Sequence, residues 1–228
     1  MRPLPRLILI FAIAFAILIM APAFLSQQFC PYPLMKTGDV LDLLTPLVLI
    51  PLYWLLFKLE KPPSTRETIL FLVFAALWVE GQGIHLGANS IGHMLANAQD
   101  TDTYTLTHFY DEVLSHYMWH IGLVGLTALL IWRQMQNPSA ETSLRESIIA
   151  AVIYGITYFI IFIEAGTVLL GLPFTILVSI VGVMRLNQLR QQPITTFFFV
   201  AHLLATIFFA IWFIRWGGFP QFSELGLI

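Results

Sequence analysis

The sequence predicts an all-α polytopic membrane protein. It reads as a single integral-membrane domain over 1–228, a bundle of about seven transmembrane helices with the N-terminus inside and the C-terminus outside. Three observations predict this. The 228 residues are 58% hydrophobic and only 11% charged, against roughly 25% charged in a typical soluble domain, too few charges to cover a water-facing surface. Seven apolar segments follow one another, each with enough apolar residues to cross roughly 30 Å of hydrocarbon. The basic residues alternate in step with those segments. Arg2, Arg6, Lys58, Lys61, Arg66, Arg133, Arg145, Arg185 and Arg190 fall on one side, and only Lys36 and Arg215 on the other. That bias is the positive-inside signature.

The segments run over about 7–25, 40–57, 68–90, 109–132, 147–167, 169–186 and 195–214. The first follows Arg2 and Arg6 and ends in Ala21-Pro22-Ala23, so it also fits a secretory signal with a small-residue cleavage site. The orientation of the other six is the same either way. The second stops before Lys61-Pro62-Pro63, where proline cannot continue a helix. The third starts just after Arg66, and the fourth ends just before Arg133, with Asn137-Pro138 beyond it. The fifth and sixth are separated only by Gly166 to Pro173, so one broken helix is the alternative there. The longest outer loop is expected from Leu95 to His108. Strand alternation is absent, which argues against a β-barrel. A net charge of −2 without a basic stripe excludes a nucleic-acid partner. The single cysteine, Cys30, excludes a disulfide scaffold and a cysteine-based zinc cluster.

One stretch stands out chemically. From Glu67 to Trp132 there is no Lys or Arg, yet five of the six histidines lie there with Glu67, Glu80, Asp100, Asp102, Asp111 and Glu112. The third span ends in a run holding Glu80, His85, Asn89, Ser90 and His93. The fourth begins with His108, Asp111, Glu112, His116 and His120. Residues four apart drift by only about 40° on an α-helix, so His85, Asn89 and His93 share one stripe, as do Glu112, His116 and His120. Facing stripes of this kind build metal sites inside helix bundles. Imidazole is the commonest metal ligand, and carboxylate accompanies it. The expected ligands are therefore His85, His93, His116, His120 and Glu112. Asp111 lies about 140° off the histidine stripe in α-helical register and is expected to cap the helix or support a histidine. Glu80 and Glu164 fall at hydrocarbon depth, where an ionisable group needs a partner. With Asn89 they are expected to stand behind the ligands. Gly81, Gly83, Gly87 and Gly92 read as close-packing positions, and His202 as a separate buried residue.

This constellation suggests a divalent cation, zinc first and iron or copper next, at the outer end of spans three and four. A zinc-bound water made acidic by the metal would hydrolyse a lipid-like substrate. Asp111 or Glu112 would move the proton, and Ser90 would steady the oxyanion. Seven spans, Ser90 before His93, a following aspartate (Asp102 or Asp111) and the pair His116-Tyr-Met-Trp-His120 together resemble, in site type, the CREST superfamily of seven-helix alkaline ceramidases and progestin/adiponectin receptors. That family carries its paired histidines on the last helix, whereas here they fall on the fourth. The resemblance implies zinc held by three histidines and lipid amide hydrolysis. Two other classes compete: a di-iron or copper redox enzyme acting on a lipid or quinone, and a non-enzymatic metal or haem binder. Haem is disfavoured because only Lys36 and Arg215 are at hand for its propionates. The expected surroundings are membrane lipid and a hydrophobic small-molecule substrate, in a plasma, inner or endomembrane, with the site facing away from the cytoplasm.

Overall fold

The computed structural model describes residues 3–58, 61–95, 97–139 and 144–227; Arg2, counted above among the inner basic residues, lies outside them. Helix α1 spans Pro3–Met20 and continues as a 3-10 turn, Ala21–Phe24. A two-stranded antiparallel ribbon follows, β1 (Gln28–Phe29) and β2 (Tyr32–Lys36). Then come α2 (Thr37–Lys58), α3 (Thr65–Met94) and α4 (Asp102–His108). A π-helical turn over Phe109–Ser115 joins α4 to α5 (His116–Gln136). The chain finishes with α6 (Arg145–Glu164), α7 (Val168–Met184), a 3-10 stretch (Leu186–Gln191) and α8 (Pro193–Trp216).

Among the described residues, six runs are long and apolar enough to cross a membrane: Leu4–Phe24, Thr37–Lys58, Thr65–Met94, Asp102–Gln136, Arg145–Glu164 and Pro193–Trp216. The chain is therefore an all-α, multi-pass membrane protein. The segment expected at 169–186 forms α7, apolar but only 17 residues long. It is a separate helix and not the far half of a broken one. Gly166 takes φ +63° directly after α6, the left-handed end that glycine supplies, and the chain turns back there. The loop expected from Leu95 to His108 is shorter than that, because α3 runs on to Met94 and α4 already starts at Asp102.

Helix α3 packs on α5, α6 on α8, α1 on α6 and α2, and α7 on α8. The centre is aromatic. Phe11 and Phe15 of α1 are fully buried, with ring centroids 4.7 Å from Tyr53 and 4.4 Å from Tyr154 respectively. At one end of the bundle Arg133 of α5 ties three segments together. Its Nη1 is 2.7 Å from Glu67 Oε2, its Nε donates to the Phe57 carbonyl at 2.9 Å, and its Nη2 donates to the Lys61 carbonyl at 2.5 Å. Glu67 also closes a capping box with Ser64 at the start of α3. So Glu67 has a basic partner, one residue beyond the stretch that lacks them.

Lipid supplies no hydrophobic drive between helices, so close backbone approach carries their association. Glycine provides it between α3 and α5. A Cβ on Gly81 would sit 2.5 Å from the Trp119 nitrogen, and one on Gly122 would sit 2.6 Å from the Phe74 carbonyl oxygen. Gly83, Gly87 and Gly92, expected to pack closely, instead face open space with nothing within 4 Å. On a regular helix Gly83 and Gly87 are turned away from the α5 seam, while Gly92 shares the Gly81 face but lies about three turns further along α3. Gly122→Leu is expected to destabilise the fold by about 1–3 kcal/mol through overpacking. Gly87→Ala is expected to be neutral or slightly stabilising. Thermal unfolding of the two variants in one detergent checks this; equal midpoints would refute the seam.

Candidate functional site

The end of the bundle opposite Arg133 is polar. His85 sits three residues beyond Gln82, which bonds to α2, and four residues beyond the Gly81 seam, so the α3–α5 approach brings it against α5. Its Nδ1 lies 2.8 Å from Asp111 Oδ1. The approach is off the line of a directed N–H bond, so the contact is chiefly electrostatic. The His85 and His116 rings stand 4.9 Å apart, and His116 and His120 6.3 Å apart.

Asp111 reaches this place because the helix is not α-helical there. In a π-turn, residues five apart are hydrogen-bonded and lie above one another. Asp111 and His116 are five apart, and the Phe109–Ser115 turn puts them on one side. Ser115 holds the turn open: its hydroxyl donates to the Asp111 carbonyl, a side-chain bond that competes with the regular ladder. The expected 140° offset is thereby removed, and Asp111 is buried at the centre of the site.

Each imidazole is anchored by one nitrogen. His116 Nδ1 lies 3.1 Å from the Glu112 carbonyl oxygen and 3.8 Å from the Glu112 carboxylate. His120 Nδ1 lies 2.6 Å from Thr167 Oγ1, its ring stacks on Phe162 at 4.2 Å, and its buried Nε2 has no partner. Anchoring one nitrogen and leaving the other is the habit of metal-binding histidines. Even so, among the described residues no three His, Cys, Asp or Glu side chains are placed together to hold a metal ion. As they stand, the five expected ligands do not form one donor set.

The other expected residues divide. Glu164 joins the site: it lines a chamber with His85, Glu112 and His116, and it accepts a bond from the Ser223 amide at 3.2 Å. Asn89 donates to Asp39 Oδ1 at 3.2 Å and so supports a carboxylate, not a histidine. His93 lies apart, in a small cavity of about 230 Å3 beside Tyr104 and His108 that also touches Asp111 and Glu112. Two are misplaced. Glu80 is exposed, because five residues of regular α-helix turn it about 140° from His85. Ser90, five residues on the other way, lines none of the chambers around His85, and its buried hydroxyl has no partner.

Sequence reasoning placed the second span but missed its carboxylates. Asp39 and Asp42 face His85 across a chamber of about 250 Å3. Asp42 accepts from Gln82 Nε2 at 2.8 Å, and Gln82 Oε1 in turn accepts from Trp78 Nε1 at 2.7 Å. The signal was available: Asp42 is an ionisable residue inside an apolar segment, the same argument that singled out Glu80 and Glu164. A second chamber, of about 300 Å3, lies on the other side of His85. Ile19, Met20, Trp119, Ile160 and Ile161 line one part of it, and Glu112, His116 and Glu164 another. His85 thus lines both chambers.

Compared with known proteins, the chain matches no family model, no curated protein and no solved structure.

Asp111→Asn is expected to shift the imidazole 15N resonances of His85. Glu112→Gln is expected to shift them less, since its carboxylate lies nearer His116. Equal responses to the two variants would contradict the assigned pair.

Proposed function

We propose that the protein is a membrane-embedded hydrolase that cleaves an ester or amide of a lipid-like molecule at its extracytoplasmic face. One observation carries this: His85, with Asp111 2.8 Å from its Nδ1, lines both the chamber of Asp39 and Asp42 and the chamber of Ile19, Ile160 and Ile161. Water enters the first chamber, and an acyl chain lies along the isoleucines of the second. With Nδ1 of His85 turned to Asp111, Nε2 is the working nitrogen. It takes a proton from water as the water oxygen attacks the carbonyl carbon. It then returns that proton to the leaving oxygen or nitrogen as the bond to carbon breaks. Asp111 steadies the imidazolium formed in between.

The orientation belongs to the same reading. Seven helices cross the membrane with the N-terminus inside and the C-terminus outside, as the basic residues indicate. Helix α7 is about 25 Å long at 1.5 Å per residue, a span that slight thinning of the bilayer accommodates.

A second reading keeps the cation. The anchored Nδ1 atoms of His116 and His120 favour zinc, with iron or copper next, drawn in by rotation of the imidazoles. The likeness in site type to the CREST superfamily points the same way. No step above depends on it.

The test uses the full chain in nanodiscs with a panel of ester and amide lipids, read by mass spectrometry of released fatty acid. His85→Gln and Asp111→Asn are each expected to slow release by about 10²–10⁴-fold, and Glu80→Gln to leave it unchanged. No release from any lipid by the wild type, or full activity in His85→Gln, would sink the reading. Elemental analysis of the same preparation decides the cation: about one zinc per chain supports the second reading, and none removes it.

A further inference from the structure

The polar chamber has a charge pattern of its own. Asp39 and Asp42 present two carboxylates to it, and Lys36 one ammonium. Both carboxylates are held in place. Asp39 accepts from the Lys36 backbone amide at 2.8 Å and from Asn89, while Asp42 accepts from Gln82, itself oriented by Trp78. The Lys36 ammonium is in no ion pair among the described residues. Two fixed carboxylates therefore share a single space of about 250 Å3 with Lys36, which is in no ion pair, and with the His85 imidazole. The complement is a zwitterion, its ammonium toward the aspartates and its anionic group toward Lys36.

The lining also chooses between kinds of ammonium. Among the described residues no Phe, Tyr or Trp borders the chamber, so none of them offers the aromatic face that recognises a quaternary ammonium. What it offers instead is carboxylate oxygen, which rewards N–H donors with short charge-assisted bonds. A primary ammonium has three such donors, and a trimethylammonium has none.

We propose that this chamber binds a zwitterionic headgroup with a primary ammonium, of the phosphoethanolamine type, as the polar end of the amphiphile. The inference rests on the hydrolase reading for its placement of the acyl chain in the chamber beyond His85. The headgroup and the chain then lie on either side of the reacting imidazole.

Binding is measured apart from catalysis by using ether-linked lysolipids, whose chain cannot be hydrolysed. The full chain in detergent is titrated with the phosphoethanolamine, phosphocholine and phosphoglycerol forms of one such lipid, and with free phosphoethanolamine. The ethanolamine form is expected to bind about tenfold or more tighter than the other two lipids. Asp39→Asn and Asp42→Asn keep the side-chain shape and are each expected to erase that preference at an unchanged thermal midpoint. Lys36→Ala is expected to weaken all three phosphate-bearing lipids alike. Free phosphoethanolamine binding as tightly as the lipid would uphold the headgroup site and assign it a soluble ligand. Equal affinity for the choline form, or a preference that survives both aspartate variants, would overturn the proposal. A wild type that shows no preference but hydrolyses lipid refutes the headgroup alone; a wild type that shows the preference without hydrolysis refutes the reaction alone.

Discussion

The close approach of α3 and α5 governs the rest of the structure. Gly81 and Gly122 let the two backbones meet where any side chain would collide with a carbonyl or amide of the facing helix. Within a membrane this contact is made of packing alone, because lipid tails solvate an apolar side chain as well as another helix does. It sets the register between the helices, and through the register it sets His85 beside His116. A different residue at either glycine would part the two histidines before it disturbed any single hydrogen bond.

The π-turn completes what the seam begins. An α-helix through Phe109–Ser115 would point Asp111 away from the histidines, and the pair with His85 would not form. The wide turn rotates one carboxylate into the site and leaves Glu112 on its edge, nearer His116. Such turns sacrifice regular hydrogen bonding, which is why they gather at functional positions. Here the Ser115 hydroxyl donates to the Asp111 carbonyl within the turn. Two departures from ideal helix packing, one of them a side-chain bond, thus serve one charged pair.

The two ends of the bundle treat charge differently. At one end Arg133, Glu67 and two carbonyls satisfy one another fully and close the end as a structural knot. At the other, carboxylates and imidazoles line chambers, and several buried polar atoms lack partners, among them His120 Nε2 and Ser90 Oγ. A group buried without a partner is costly.

The sequence by itself determined the class of the molecule. Apolar content, segment length and the placing of Lys and Arg are local or additive properties, and they carry through to the helices that form. It also determined that histidine and carboxylate gather at one end of two neighbouring helices, since residues four apart share a stripe wherever the helix is regular. Tertiary structure decided which of them meet. Glu80 and Ser90 lie within five residues of His85, yet the turn of an ordinary helix takes both out of its chambers. Asp111 comes in only because the helix is locally irregular. Asp39 and Asp42 enter from α2, more than forty residues from His85 along the chain, and no periodicity links them to it. Spacing along one helix fixes a direction. The partner in that direction depends on how close the next helix can come, and that is a property of the packed bundle.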